Sequence, residues 1–343
     1  MNFTVLITDK CNLNCKYCYE NKKKITADRY TLDMIVTFIS EEVRERNSST
    51  SINIQGGEVF LTFDKLKYFI DKLNESGIDN LISYISITSN GTIYSKEISD
   101  FIIDNNIRLS ISIDGNKEQH DYYRVFKNGN GSYDVVMNNL KKYIDDGIEI
   151  RCRMTFNSNT ILGISDSINN LYGFGLKTFA LSYNPFDKNW NSFSSMHLEK
   201  EIYKFICLKH KYSDLNISLY DNIKNFFLEK GDCFSGVNSF AIDTNGNIYN
   251  CIYTIGSNEH LIGNIREDKY DLKKRAIDKH RDYFDEEYKS ECNECSLGKY
   301  CDGRRCKFIN SKATGKSYLP SYVTCEVSKV LYKVFKENFY GQL

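Results

Sequence analysis

The 343-residue sequence has no excess of either charge, since 45 basic residues balance 45 acidic ones. This balance gives no reason to expect nucleic acid or an anionic membrane as a partner. No apolar run approaches the roughly 18 residues that a transmembrane helix needs. The amino terminus lacks the basic and apolar segments of a secretory signal and leads directly into a β-like run. We therefore expect a cytoplasmic protein.

Cysteine, in contrast, is abundant, with twelve in the chain. In a protein expected in the cytoplasm, so many cysteines indicate metal ligands rather than disulfides. Cys11, Cys15 and Cys18 follow the first β-like run with the spacing C-x3-C-x2-C. Structural zinc sites usually take four ligands from paired C-x2-C motifs. Three thiolates on one short loop suit a four-iron cluster in which one iron has no protein ligand. The alternative is a structural zinc loop or a set of unrelated free thiols.

A second set of cysteines lies beyond residue 230. It consists of Cys233, Cys251, Cys292, Cys295, Cys301, Cys306 and Cys325. Between the first two, residues 239–249 read as a β-hairpin with an Asn-Gly turn. Taken alone, residues 292–306 would favour a zinc knuckle.

Residues 3 to about 184 alternate β-like runs with helical patterns, which is typical of parallel βαβ units. The predicted strands are Phe3–Thr8, Ser51–Gln55, Tyr84–Thr88, Arg108–Ile113, Glu149–Phe156 and Lys177–Ser182. The predicted helices are Leu32–Arg46, Phe63–Glu75, Lys96–Asn105, Tyr133–Asp146 and Ile161–Tyr172. Six such units predict an α/β fold, a partial (β/α)6 barrel of TIM type.

Several of these strands alternate apolar and polar residues, although strands buried on both faces are nearly continuously apolar. The apolar set should face the helices, so the polar set should face the barrel interior and bind a polar ligand. On the fifth strand this set includes Arg151 and Arg153, followed by Asn157, whereas Cys152 belongs to the apolar set. Cys207, in the helical pattern Leu198–Tyr212, is likewise expected in the core.

Conspicuous motifs follow the strands, where the active site of such a barrel forms. Gly56, Gly57 and Glu58 come after the second strand, and residues 88–91 (Thr-Ser-Asn-Gly) end the third. Taken alone, Gly-Gly-Glu is more typical of a turn, whereas residues 88–91 are equally consistent with a turn and with a contact to cofactor or substrate. After the fourth strand come Ser112 and Asp114, the latter a possible helix cap. His120, with no nucleophile nearby, is expected to be structural.

The cysteine loop, with Tyr17 directly before Cys18, resembles the signature of the radical S-adenosylmethionine (SAM) superfamily. The resemblance implies that the open iron of a [4Fe–4S] cluster chelates SAM. Reductive cleavage of SAM then gives methionine and a 5′-deoxyadenosyl radical. It also implies that Tyr17, Gly56, Gly57 and Glu58 contact the cofactor, the last three at the methionine amino group.

The segment from Ser112 to Ser132 is similar to the S-x-D-G…H…R…G-x-G-S stretch of peptide-modifying members. This similarity implies that Ser112 touches the SAM carboxylate or ribose. Arg151 and Asn157 are further candidates for the same groups.

The second cysteine set resembles the SPASM extension, which carries two auxiliary [4Fe–4S] clusters. By this resemblance Cys233, Cys251 and Cys306 hold one cluster, and Cys292, Cys295, Cys301 and Cys325 hold the other. One extra residue before Cys306 departs from the family spacing. Two four-iron clusters need eight ligands, and the cysteines supply seven. The first auxiliary cluster is therefore expected to be open, water-bound or ligated by Glu229 or Asp232. The predicted domains are 1–225, the barrel, and 226–343, a small cysteine-rich SPASM domain with a C-terminal helix.

The resemblance implies an enzyme that modifies a ribosomal peptide or protein, with a thioether or C–C crosslink favoured. Alternatives are a peptide epimerase, a small-molecule dehydrogenase, a non-enzymatic zinc protein and a formylglycine-generating sulfatase maturase. The last typically has aspartate where this chain has Ile252. Expected partners are the precursor peptide or protein and an electron donor such as flavodoxin or ferredoxin. Because only ten residues precede Cys11, we expect leader recognition, where it is needed, to fall to a separate leader-binding protein or to this chain's own surface.

Overall fold

The computed structural model describes residues 1–20, 24–226, 233–284 and 292–339. It divides into two compact units. The first consists of Met1–Ile111, Tyr123–Glu149 and Phe234–Tyr283. The second consists of Ser112–Tyr122, Ile150–Cys233 and Phe284–Leu343. The first unit takes segments from both sides of the predicted domain boundary between residues 225 and 226. That boundary stays a prediction.

Strands and helices alternate through the first two thirds of the chain. The strands are β1 (Asn2–Thr8), β2 (Thr50–Gly56), β3 (Ile82–Ser89), β4 (Arg108–Ser112), β5 (Ile150–Phe156), β6 (Thr178–Tyr183), β7 (Asn216–Ile217), β8 (Ser239–Ile242), β9 (Asn247–Tyr249) and β10 (Leu261–Asn264). The helices are α1 (Arg29–Arg46), α2 (Phe63–Glu75), α3 (Lys96–Asp104), α4 (Lys117–Tyr123), α5 (Tyr133–Asp145), α6 (Ile164–Gly173), α7 (Ser192–Lys211), α8 (Ser218–Lys224), α9 (Lys269–Phe284), α10 (Asp302–Arg305), α11 (Lys307–Thr314) and α12 (Tyr322–Asn338). All strands and helices predicted for the barrel lie within three residues of their predicted bounds. Among the described helices, none has the length and apolar character to cross a membrane.

In the first unit, β1, β2, β3 and β4 pair in parallel in that order. The apolar residues of β2, Ile52 and Ile54, have no exposed surface. On the opposite face, Asn53 donates to Asn2 Oδ1 at 2.9 Å and accepts from Ser86 Oγ at 2.6 Å. The alternation in the sequence therefore gives one apolar face and one hydrogen-bonded polar face, as predicted.

The predicted hairpin forms from β8 and β9, and Gly246 in its turn has a φ of 79°. This positive φ explains the glycine. The hairpin also extends the sheet of the first unit, because β8 pairs in parallel with β1 and β10 pairs with β9. Phe240 lies opposite Phe3 in this pairing, and their rings stack at 5.7 Å.

In the second unit, β5, β6 and β7 pair in parallel, and the C-terminal helix α12 packs on α7 and α8. Helix α6 begins after Gly163, which has no side chain to cap it. Instead, the carboxylate of Glu201 on α7 accepts hydrogen bonds from the Ser165 backbone N–H at 2.8 Å and from Ser165 Oγ at 2.6 Å. This negative charge at the helix N-terminus supplies the missing cap.

Glu201 has no exposed surface. Burial alone would raise the pKa of its carboxyl, but the hydrogen bonds from Ser165 and Lys204 outweigh it and hold the pKa below its usual value. The carboxylate is therefore ionised at neutral pH, which is the state that caps α6.

Replacing Glu201 by alanine should lower the free energy of unfolding by about 1–3 kcal/mol, because two buried donors of Ser165 lose their acceptor. Urea unfolding followed by circular dichroism measures the change. Glu199→Ala on the same helix removes a partly exposed ion pair with Lys333 and should cost less than about 1 kcal/mol. Equal losses in both variants would contradict the capping role.

Candidate metal centre and active site

The backbone of the cysteine loop is anchored to the segment that follows α4. The Asn14 N–H donates to Val125 O at 2.7 Å, and the Lys16 N–H donates to Tyr123 O at 3.0 Å. Leu13, directly before Asn14, has no exposed surface. These contacts fix the loop, while the side chains of Cys11 and Cys15 are half-buried and that of Cys18 is exposed.

Two glycines allow the end of β2 to pack against the chain that leads into Cys11. The Gly57 N–H donates to Thr8 O at 2.9 Å, and the Glu58 N–H donates to Lys10 O at 2.7 Å. A Cβ on Gly56 would lie 2.2 Å from Thr8 O, and one on Gly57 would lie 2.1 Å from Lys10 O. Any larger residue would therefore separate the two backbones.

The carboxylate of Glu58 has no exposed surface. Its Oε1 accepts from Ser89 Oγ at 2.9 Å and from the Phe60 N–H at 3.3 Å, and its Oε2 accepts from the Asn90 N–H at 2.7 Å. Burial raises the pKa of this carboxyl to about 7, although these hydrogen bonds act to lower it. In this structure Glu58 joins the end of β2 to the end of β3, and its contact with SAM stays a prediction.

Asn90, in the turn after β3, lies next to the first cysteine. Its Nδ2 donates to Cys11 Sγ at 3.7 Å and to Asn12 Oδ1 at 2.9 Å. Amide N–H donors to cysteine sulfur are a usual feature of iron–sulfur sites. The anchored loop, its three thiols and this donor therefore fit a cluster at the predicted position.

Tyr17 packs within the same unit. Its ring centre lies 5.4 Å from that of Tyr123 and 5.4 Å from the guanidinium carbon of Arg124. These contacts orient the ring beside Cys18, and the cofactor contact of Tyr17 stays a prediction.

Ser112, Asp114 and His120 lie at the end of β4 and in the residues that follow it. Ser112 is buried at the end of β4. The carboxylate of Asp114 accepts from the Thr155 N–H at 2.9 Å on β5, and the start of α4 is capped by Asn116, whose Oδ1 accepts from the Gln119 N–H at 3.0 Å. His120 is fully buried and accepts from the Asp114 N–H at 3.4 Å, which is the structural role expected of it.

Two further candidates lie on β5 and directly after it. Arg151 is exposed on the polar face of the strand together with Arg153. Asn157 is buried, and its Oδ1 accepts from the Asn159 N–H at 2.9 Å, which shapes the turn. The roles of Ser112, Arg151 and Asn157 toward SAM stay predictions.

In the carboxyl-terminal cysteine set, Cys301 has two hydrogen-bond partners. The Gly303 N–H donates to its sulfur at 3.3 Å, and Ser328 Oγ lies 3.2 Å from it. Ser328 is not among the residues predicted from the sequence, although it follows Cys325 by three residues and so shares a helix face with it. Burial raises the pKa of the Cys325 thiol, and the negative charges of Cys301, Glu326 and Cys292 add to this effect. Cys292 and Cys301 are thus both near enough to Cys325 to affect the pKa of its thiol.

The remaining predicted ligands differ in their exposure to solvent. Cys233, Cys251 and Cys306 are half-buried, and Cys295 is exposed. The candidate eighth ligands, Glu229 and Asp232, lie outside the described residues. The assignment of these cysteines to two clusters therefore stays a prediction.

The cysteines carry no disulfide in the described parts of the chain. Across the same residues, no three Cys, His, Asp or Glu side chains converge around one point closely enough to hold a single metal ion.

The two cysteines outside both sets differ. Cys152 is fully buried in β5, as predicted. Cys207 is exposed on α7, so its predicted core position is wrong. The apolar pattern of this long helix identified the helix but not which side of it faces the core.

Residues 5–174, about half of the chain, match the family model of the Radical SAM superfamily. The chain belongs to the radical SAM superfamily and is an enzyme. Members use SAM and a [4Fe–4S] cluster, which together supply a 5′-deoxyadenosyl radical, and SPASM members carry auxiliary clusters. The predicted cofactors are thus confirmed.

Among similar proteins, the cysteine-type anaerobic sulfatase-maturating enzyme of Clostridium novyi (strain NT) is 27% identical over 76% of this chain and 75% of the relative. The radical SAM cyclopropyl synthase TigE of Paramaledivibacter caminithermalis is 22% identical over 95% of this chain and 72% of the relative. The solved structure of native anSMEcpe with bound AdoMet and Cp18Cys peptide superposes with a TM-score of 0.82 at 19% identity, covering 100% of this chain and 99% of that one. This likeness confirms the predicted fold class, a TIM-type radical SAM barrel followed by a SPASM domain.

Substitution of Gly57 by alanine should lower the iron bound after anaerobic reconstitution by at least several-fold, because the new Cβ displaces Lys10 and the cysteine loop with it. Iron and sulfide analysis of the folded protein measures the loss. Gly173→Ala is the matched control, since a Cβ there meets no atom within 4 Å. Full iron content in Gly57→Ala would show that the close backbone contact is dispensable.

The pKa of Glu58 also predicts a pH dependence. The folded pKa of about 7 lies above the unfolded value near 4.3, so the folded state retains a proton that the unfolded state loses between these values. Stability should therefore fall as pH rises through this window. Glu58→Gln, which does not ionise, should remove that part of the slope. Unfolding midpoints of both proteins between about pH 5 and pH 8 provide the measurement, and parallel slopes would contradict the raised pKa.

Proposed function

We propose that this enzyme modifies a ribosomally made peptide or protein, and that it forms a thioether or a C–C crosslink. The observation that carries the proposal is the anchored cysteine loop, which carries three thiols and places that of Cys11 beside the amide of Asn90, while the carboxyl-terminal segment supplies a second cysteine set. The first arrangement suits radical generation. The second suits a site at which a substrate group is bound or an electron is accepted.

A peptide or protein substrate is favoured by the similar proteins. They include sulfatase-maturating enzymes, a cyclopropyl synthase and a solved structure with a bound peptide. The hydrogen-bonded polar face of β1–β3 in the first unit and the exposed arginines of β5 in the second offer donors and acceptors to polar ligands.

The crosslink is favoured by ligand number. Seven cysteines leave one auxiliary-cluster position without a thiolate, and an open iron there could bind a substrate cysteine and accept an electron. Such a site suits formation of a bond from cysteine sulfur to carbon. If Glu229 or Asp232 instead ligates this eighth position, no iron is open to a substrate cysteine. The auxiliary cluster would then serve in electron transfer alone.

Sulfatase maturation is the second candidate, because the similarity to the Clostridium novyi enzyme extends over three quarters of the chain. Ile252 stands against it. This residue begins a short 3-10 helix after Cys251 and lines a small cavity together with Asp9, Tyr19 and Asp243. The carboxylate that sulfatase maturases typically have at this position is replaced by an apolar side chain.

We further propose that an electron donor such as flavodoxin or ferredoxin reduces the enzyme, and that a separate protein binds the leader of the precursor. The cytoplasmic location stays a prediction.

The first test concerns radical generation. Protein reconstituted with iron and sulfide under argon and reduced with dithionite should convert SAM to 5′-deoxyadenosine. Cys15→Ala should reduce this conversion at least 100-fold, since the cluster loses one of its three thiolates. Cys207→Ala, which removes an exposed cysteine outside both sets, should leave it unchanged. Conversion by Cys15→Ala at the wild-type rate would overturn the ligand assignment.

The second test identifies the bond. A candidate precursor encoded beside the gene is co-expressed with the enzyme and analysed by mass spectrometry. Loss of two hydrogen atoms together with loss of one free thiol supports a thioether, and loss of two hydrogens alone supports a C–C bond. Replacement of a cysteine thiol by an aldehyde would establish sulfatase-type maturation instead. Uptake of deuterium from D2O at a Cα without other change would establish epimerisation.

A further inference from the structure

The side chain of Asn90 is fixed by contacts on both of its amide atoms. Its Oδ1 accepts from the Thr92 N–H at 2.9 Å and from Thr92 Oγ1 at 2.6 Å. Its Nδ2 faces Asn12 Oδ1 and Cys11 Sγ. Rotation of the amide by half a turn would place its oxygen against Asn12 Oδ1 and its NH2 against the Thr92 N–H. The hydrogen-bond network therefore determines that a donor, not an acceptor, faces the sulfur.

The backbone of Asn90 is held as firmly as its side chain. Its N–H donates to Oε2 of Glu58, which itself has no exposed surface. The Glu58 N–H in turn donates to Lys10 O, directly before Cys11. The donor and the sulfur it contacts are thus connected through Glu58 as well as through their own contact.

We propose that Asn90 acts through Cys11 to raise the reduction potential of the cluster that Cys11, Cys15 and Cys18 hold. Asn90 is a positioning residue, with Glu58 and Thr92 holding it in place. The inference rests on the proposed ligand role of Cys11 but not on the identity of the substrate or of the bond formed.

The physical reason is electrostatic. Reduction adds one negative charge to the cluster, and the thiolate sulfurs share it. A hydrogen-bond donor to one sulfur stabilises the more negative state and so raises the reduction potential. The contact is effective because Asn90 is 7% exposed, so little water competes with the amide or screens it.

The test is a redox titration of the full-length, reconstituted protein, followed by paramagnetic resonance. The N-terminal cluster is identified by the signal that changes when SAM is added. Asn90→Ala, which removes the donor, should lower its midpoint potential. Asn90→Asp keeps the shape but places an oxygen against the sulfur, so it should lower the potential further. Asn74→Ala, an exposed asparagine of the same unit, should leave the potential unchanged.

Wild-type potentials in both Asn90 variants at full iron content would overturn the proposal. If these variants bind no cluster, Thr92→Val decides the question, because it leaves Asn90 in place but removes a hydroxyl that orients its amide. A lowered potential in Thr92→Val supports the proposal and an unchanged one overturns it. Absence of any SAM-sensitive signal in the wild type would instead contradict the ligand assignment of the cysteine loop, so the two failures are distinguishable.

Discussion

The site depends on the direct contact between two stretches of backbone, Gly56–Glu58 and Thr8–Lys10. Hydrogen bonds join them, and a side chain at either glycine would push them apart. Through this contact the end of β2 fixes where the cysteine loop begins. The carboxylate of Glu58 then extends the same connection to the end of β3. The ends of β1, β2 and β3 are thus held together by the close backbone contact that Gly56 and Gly57 allow and by the buried carboxylate of Glu58.

Much of the fold could be predicted from the sequence because its causes are local. Apolar periodicity determined the strands and helices of the barrel, and the Asn-Gly pair determined the hairpin turn. The polar face of β2 and β3 followed from alternation alone. The cysteine loop was recognisable because a spacing of three thiols within eight residues is itself a chemical constraint.

Other features could not be predicted because they depend on residues distant in the chain. Neither the pairing of β8 with β1 nor the cap that Glu201 gives to α6 has a sequence pattern of its own. Asn90 was recognised as part of a turn or a cofactor contact, but only the structure brings its amide to Cys11. Ser328 beside Cys301 was missed for the same reason. In each case the missing information was which partner a polar group finds, which burial and strand register decide.

The position of β1 between β2 and β8 has a consequence for synthesis of the protein. The strand that leads into the cysteine loop emerges first from the ribosome, yet one of its two neighbours, β8, ends only at Ile242. Until that residue has been translated, one edge of β1 exposes unpaired backbone groups. Cofactor assembly on a completed sheet is therefore a late step, and the nascent chain carries the three thiols of its cysteine loop through most of translation before their final surroundings exist.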